Sequence, residues 1–340
     1  MQVTEEGSVR VDLVGGTLDL EPINLILPNV VTLNVATSLK AKVQLEKINE
    51  DFIKIESLDY NKSYSFSLEE LEKDDVNFSS RYKEMTFVLQ IIKLFEINFG
   101  LKVMLSSGSP PGSGLGGSSA MGITLFKALS KLTNKSFDVL DTVSRVKGVE
   151  GRILNQGVPG YQDYFPALLG GILCLSGQPG EIKYEQLYSN ELKSYLESHL
   201  TLVYSGISRN SGINNWDVYK SFFDGNGKIR SNLIEIAKLS FDFYKNVKTN
   251  NFSPLAFLIG AEGELRKELS KDIVPDEVFQ IFLKLKQENL VSGIKMCGAG
   301  GGGCYLLTHS PEDKNKIVSF ISGTSHSVLD FKIEEPVNSL

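Results

Sequence analysis

A mixed α/β chain is the expectation for these 340 residues. Three observations carry it. Length alone fits two domains or one large α/β unit. Strand-like segments fill the chain as far as Leu68, and helical patterns alternate with short apolar runs after that. Near Gln178 the texture changes to long polar-apolar helical stretches, which places a domain boundary within residues 178–195.

The elements follow in order. Val9 to Val14 alternates around Arg10 and Asp12, as a strand does. Asn29 to Val35 and Lys40 to Leu45 are rich in β-branched residues and read as two more strands, and Asp51 to Leu68 as strand and turn. Glu84 to Phe95 has a helical apolar period, and Leu101 to Leu105 is a short apolar run. Met121 to Leu132 and Phe137 to Leu154 read as helices, the second capped by Ser136. Ile172 to Leu175 and Leu200 to Tyr204 read as strands. Leu233 to Val247, Ser253 to Leu269 and Asp276 to Glu288 read as helices.

Composition removes several functions. The chain is 41% hydrophobic and 22% charged, with a net charge of -6, which argues against a nucleic-acid binder acting through bulk charge. Three cysteines without a CxxC pair, and three scattered histidines, make a disulfide framework or a dedicated zinc site unexpected. No run of about 18 apolar residues and no basic leader is present, so a cytoplasmic protein without membrane contact is expected.

The stretch PPGSGLGGSSA, Pro110 to Ala120, sits between an apolar run and a helix. Its glycines allow backbone N–H groups to point into one concavity, and the helix start adds unpaired N–H groups and a dipole. The plain alternative is a turn joining strand to helix. GxxxxGK[ST] is absent, so the loop is not a P-loop. The letters GxGxxG occur at Gly112 to Gly117, but the chain beyond them lacks the second strand and acid of a dinucleotide site. A triphosphate held without a lysine needs another cation, and Mg²⁺ held by a serine and a carboxylate would serve.

A helical wheel of Phe137 to Leu154 puts Leu140, Val143, Val146, Ile153 and Leu154 in one stripe, with Glu150 in its middle. A glutamate there needs a partner: an arginine, backbone donors or a metal. Asp163, in GYQDYFPALLGG, fits either a general base for a hydroxyl or a turn cap. Arg10 and Asp12 share one side of a strand, which alone is a surface ion-pair pattern. Asp19 follows a Gly-Gly-Thr turn, where it could hold hydroxyls or end the turn. Five glycines between Cys297 and Cys304 exceed what an ordinary hairpin needs, and would let two backbones, or a backbone and a ligand, come close.

Together these motifs resemble the GHMP kinases, the superfamily of galactokinase, homoserine kinase, mevalonate kinase and phosphomevalonate kinase. PPGSGLGGSSA is similar to the central phosphate motif, KMCGAGGGGCYLL to the C-terminal glycine motif, and RVDLVGGTLDL to the N-terminal motif of sugar-directed members. GYQDYFPALLGGI and LVYSGISRNSG resemble stretches of the D-glycero-D-manno-heptose 7-phosphate kinases, and fucokinases share these features. Gly117 is an extra glycine in the central motif, and the missing Glu-His pair argues against galactose.

The resemblance implies an α+β, two-domain fold. Residues 1–180 would form an α/β sandwich with a left-handed β-α-β unit, and residues 190–340 a ferredoxin-like domain. It implies an ATP- and Mg²⁺-dependent phosphotransferase acting on a hydroxyl of a sugar or sugar phosphate, a heptose 7-phosphate above all. The alternatives are a mevalonate-pathway kinase and a catalytically inactive regulator of the same fold. Pro110, Gly112, Ser113, Gly114, Leu115, Gly116, Gly117, Ser118 and Ser119 would form the ATP loop, with Ser119 and Glu150 on the metal. Asp163 and Arg10 would be catalytic. Asp19, Gly160, Tyr161, Arg209, Gly298, Gly300 and Gly301 would contact substrate, with Ser211 near it. The adenine pocket is expected between about residues 50 and 105. A monomer or homodimer with a small-molecule substrate is implied.

Overall fold

The structure is a computed structural model and describes residues 1–59, 61–73, 82–154, 159–207 and 213–337. The first part of the chain forms β1 (Gln2–Val14), α1 (Ile23–Ile26), β2 (Thr32–Ile48), β3 (Phe52–Ser57), β4 (Lys62–Ser67), α2 (Leu68–Lys73) and α3 (Thr86–Lys93). It continues through β5 (Gly100–Ser106), α4 (Gly117–Thr133), α5 (Val139–Leu154), α6 (Phe165–Leu169), β6 (Ile172–Gln178) and β7 (Glu181–Gln186). All seven strands join one sheet. Strand β2 is its hub. One edge carries β1, and the other carries β6 at Thr32–Val35 and β5 at Lys42–Ile48.

The two strands expected at Asn29–Val35 and Lys40–Leu45 are therefore one. The polar Thr37 and Ser38 that interrupt the apolar pattern lie where the pairing with β1 shifts register between Ser8 and Arg10. The outer half of β1 alternates in burial, whereas Gly7 to Val14 is buried throughout. Helices α4 and α6 pack on β1, and so does α10 (Leu255–Lys267) from the second part. Arg10 and Asp12, 2% and 0% exposed, are thus internal and not the surface pair that alternation alone implied.

Helix α4 starts at Gly116, whose φ of 70° is left-handed and whose side chain offers no cap. Helix α5 starts after Asp138, whose carboxylate accepts from Asp141 N at 2.7 Å, so Asp138 and not Ser136 makes the cap. Phe95, Phe126 and Phe137 meet edge to face with centroids 4.8, 4.9 and 5.8 Å apart. Such pairs contribute about 0.5–1.5 kcal/mol each beyond area burial, and these lock α3, α4 and the entry to α5 together. The buried stripe of α5 includes Thr142, Val143, Val146 and Val149, whereas Leu140, expected inside, is 41% exposed.

The second part forms α7 (Asn190–His199), β8 (Leu200–Tyr204), α8 (Ile213–Phe223), α9 (Gly227–Lys248), α10, α11 (Asp276–Gln287), β9 (Gly293–Met296), β10 (Cys304–Thr308), α12 (Lys314–Ser322) and β11 (Ser327–Val328). Its sheet has the order β11-β8-β10-β9, antiparallel throughout. That is the fourth-first-third-second order of a ferredoxin-like unit, with helices inserted between its first two strands. Strand β7 belongs to the first sheet, beyond the expected limit at residue 180. The chain end returns to the first sheet through bridges Thr37–Ile333 and Gly170–Pro336. No helix of the described residues is long and apolar enough to cross a membrane.

Candidate active site

The loop between β5 and α4 lines a pocket of about 340 Å³. Pro110, Gly112, Ser113, Gly114, Gly116, Gly117, Ser118 and Ser119 form one wall. Gly112, Gly114 and Gly116 all have φ between 67° and 77°, which L side chains rarely adopt. The first N–H groups of α4 have no side-chain cap, and they stand at the pocket wall with Gly117, Ser118 and Ser119. Leu115 is the exception: it is fully buried in the core, and its carbonyl accepts from Arg10 N at 2.9 Å. It anchors the loop to β1 and does not face a ligand.

Four carboxylates line this pocket, Asp59, Glu84, Glu150 and Asp163, and the last two stand against the loop. Glu150 Oε2 accepts from Ser119 Oγ and from Tyr164 OH, both at 2.8 Å. Among the described residues no lysine or arginine pairs with it. Burial pushes its pKa up, against the pull of the two hydroxyls. Asp163 Oδ1 accepts from Arg10 Nε at 2.8 Å and lies 2.7 Å from Nη2. Among the described residues Oδ2 takes no hydrogen bond. At Gly116, whose φ of 70° already disfavours a side chain, an added Cβ would stand 3.3 Å from the Asp163 side chain.

Arg10 sits behind Asp163 and also donates to Gly114 O. Burial works against its charge, but Asp163 and Asp12 outweigh that and raise its pKa. Asp19 is buried, and its Oδ2 accepts from Gln162 N at 3.0 Å. Burial pushes its pKa up to about 7. A Cβ on Gly160 would fall 2.0 Å from Asp19 Oδ2, so a side chain there would displace the Asp19 carboxylate.

Residues 86–171 match the family described as GHMP kinases N terminal domain. By that match and by its curated relatives the chain is similar to GHMP kinases. It is 26% identical over 332 residues to an L-fucokinase/L-fucose-1-P guanylyltransferase of Bacteroides fragilis, covering 89% of this chain and 34% of that protein. The chain thus spans about a third of that relative's length. It is 26% identical over 333 residues to a D-glycero-alpha-D-manno-heptose 7-phosphate kinase of Campylobacter jejuni, covering 95% and 94%. The crystal structure of the Methanococcus jannaschii mevalonate kinase superposes with a TM-score of 0.77 at 20% identity, covering 98% and 99%.

The other expected substrate residues are placed differently. Tyr161 is fully buried. Gly298 N donates to Asp12 Oδ1 at 3.0 Å, and Gly301 N to Ile273 O at 2.8 Å. A Cβ on Gly300 would meet Ile273 O at 2.7 Å, so these glycines bring main chain against main chain. Arg209 and Ser211 lie outside the described residues. The far pocket wall contains Met85, Phe87, Val88 and Leu105, within the stretch where an adenine pocket was expected, together with Ser57 and Glu84.

Sequence reasoning missed Tyr164 and three internal charges, Glu262, Arg266 and Lys295. Glu262 and Arg266 continue the stripe of Leu255 and Ile259 along α10 at helical spacing. Lys295 sits inside the apolar run of β9. Charges in buried stripes were the available signal.

The residues present fit a small divalent cation. Glu150 is a carboxylate on a pocket wall with hydroxyl partners only, beside Ser119. Among the described residues no three His, Cys, Asp or Glu side chains cluster as a full metal cage. A sparse protein shell suits Mg²⁺, which keeps its own waters and takes substrate phosphates.

Proposed function

We propose that this chain is an ATP-dependent phosphotransferase that moves the γ-phosphoryl group to a hydroxyl of a sugar or sugar phosphate, with a heptose 7-phosphate as the expected acceptor. The observation that carries it is one pocket in which a capless helix start, a carboxylate with no cation partner among the described residues and an arginine-held aspartate converge. The nucleotide lies mainly on residues 1–180, with its base against Met85, Phe87 and Leu105. Residues 190–340 close the acceptor side.

The loop amides from Gly114 to Ser119 hold the β- and γ-phosphates. Ser119 and Glu150 would hold Mg²⁺, which when bound would neutralise phosphate charge that a P-loop would meet with a lysine. Arg10 uses Nε and Nη2 on one oxygen of Asp163, which leaves Oδ2 for the acceptor hydroxyl. Asp163 takes the hydroxyl proton as the oxygen bonds to the γ-phosphorus and the bond to the bridging oxygen breaks, releasing ADP, and Arg10 screens the developing charge. Asp19 and Gly160 shape the acceptor wall. Phosphoryl transfer asks little covalent chemistry of the protein, so positioning and electrostatics account for most of the rate.

The test is ADP release from Mg-ATP across a panel holding heptose 7-phosphate, fucose and mevalonate. Turnover on a sugar or sugar phosphate supports the reading and names the acceptor. Turnover on mevalonate alone overturns the acceptor class, and silence across the panel with ATP still bound supports a non-catalytic binder.

A further inference from the structure

Outside the pocket, Asp12, Glu262, Arg266 and Lys295 form a fully internal charge cluster that none of these roles uses. Each is 2% exposed or less. Asp12 Oδ2 accepts from Lys295 Nζ and from Arg266 Nη1, the latter at 3.2 Å. Asp12 Oδ1 accepts from Gly298 N at 3.0 Å and stands 3.8 Å from Arg10 Nη1. Arg266 also donates to Gly298 O, and Glu262 Oε2 accepts from Gly15 N at 3.0 Å. Helix α10 reaches β9 closely enough for this because Gly263 leaves room for Ile294 O, which a Cβ would approach to 1.9 Å.

Buried ion pairs add little net stability, because desolvation offsets their attraction. Stability therefore does not account for this cluster. Its geometry does. Asp12 lies two residues from Arg10 on the same face of β1. A bare carboxylate there would compete with Asp163 for the guanidinium. Here two cations and an amide, all from the second part of the chain, saturate Asp12. Arg10 is then drawn only weakly toward it, at 3.8 Å, while its short bonds go to Asp163 and Gly114 O. Removing the Asp12 carboxylate leaves Lys295 and Arg266 unscreened behind Arg10, which is then repelled from that side.

We propose that Asp12 is a positioning residue: clamped by Lys295, Arg266 and the Gly298 amide, it sets the Arg10 guanidinium that holds Asp163. The catalytic weight of that setting rests on the phosphotransferase reading above. The setting itself does not.

The test uses the full chain with arginine Nε labelled by ¹⁵N, and assigns the Arg10 Nε–H signal by its loss in Arg10→Lys. In Asp12→Asn, folded by its thermal melt, that signal is expected to shift or vanish as it does in Asp163→Asn. On the acceptor found in the panel, Asp12→Asn is expected to lower kcat roughly 10- to 100-fold, the scale of a misplacement near 1 Å. KM for the acceptor should stay within about threefold, as for a lost transition-state interaction. Asp12→Asn/Asp163→Asn should be no slower than Asp163→Asn, because both act through one guanidinium. An Arg10 signal unmoved in Asp12→Asn, or losses that multiply, overturns the proposal. Should Asp12→Asn not fold, Lys295→Met removes one clamp and must move the same signal; an unmoved signal there overturns it equally. A wild type silent on every acceptor refutes the phosphotransferase reading, while the Arg10 signal still decides the positioning.

Discussion

Two glycine-rich loops of similar composition face each other, and they use their glycines for different things. Gly112 to Gly117 borders an open pocket. Gly298 to Gly303 is filled by protein: Gly300 is against Ile273, Gly302 against Ile207, and Gly303 against the carbonyls of Gly112 and Ser113. Cys304 N donates to Ser113 O at 2.6 Å, so the second loop is clamped onto the back of the first. Glycine density marks a close approach of main chain to something. In one loop that something is an open pocket, and in the other it is another backbone.

The comparison breaks most readily at the chemistry. Asp163→Asn is expected to lower kcat by roughly 10²–10⁴, the usual contribution of a general base, with the affinity for an ATP analogue held within about twofold. Near-normal turnover would remove the base from this loop's side of the pocket.

One substitution placed in both loops separates their uses. Gly303→Ala sets a Cβ 2.5 Å from Ser113 O at a φ of 72°, and should cost about 2–4 kcal/mol in urea unfolding. Gly117→Ala meets only the Ser109 hydroxyl, at 2.9 Å, and starts a helix. It should change stability by less than about 1 kcal/mol while weakening nucleotide binding. Equal losses of stability in both variants would show that the first loop is packed as the second is.

A smaller effect is expected from Glu150→Gln, which should raise the Mg²⁺ concentration for half-maximal turnover roughly tenfold. Unchanged metal dependence would leave Glu150 a structural partner of Ser119 and Tyr164.

The last concerns Asp19. Its pKa is pushed up to about 7 by burial, from 3.8. The folded state then holds more protons than the unfolded state between those values, so stability from this group is complete below about pH 4. It is lost as pH rises toward 7, at no more than about 1.4 kcal/mol per pH unit. Asp19→Asn should flatten that slope in urea titrations from pH 4.5 to 7. An unchanged slope would mean that the Asp19 carboxylate is solvated or paired in solution.

Much of the fold was legible because its signals are local. The helical period of Met121–Leu132, the apolar strands and the glycine breaks each depend on neighbours in the chain. Glu150 could be read as anomalous because a wheel needs only one helix. The one-strand nature of β2 was not legible, since a bulge at Thr37 and Ser38 depends on a partner strand. Nor was the interior setting of Arg10 and Asp12, since α10 arrives from some 250 residues away, as the Arg266–Asp12 contact measures.

The sequence by itself determined that a phosphate-type loop precedes a helix, that a carboxylate sits on that region's buried helical face, and that two glycine clusters exist. These follow from backbone freedom and periodicity, which act over a few residues. Tertiary structure alone decided which glycines face a pocket and which face main chain. It decided that Leu115 anchors the loop instead of lining it, and that Asp12 is neutralised by Lys295 and Arg266. Each of those outcomes depends on what packs opposite a residue, and that partner is supplied by chain far away.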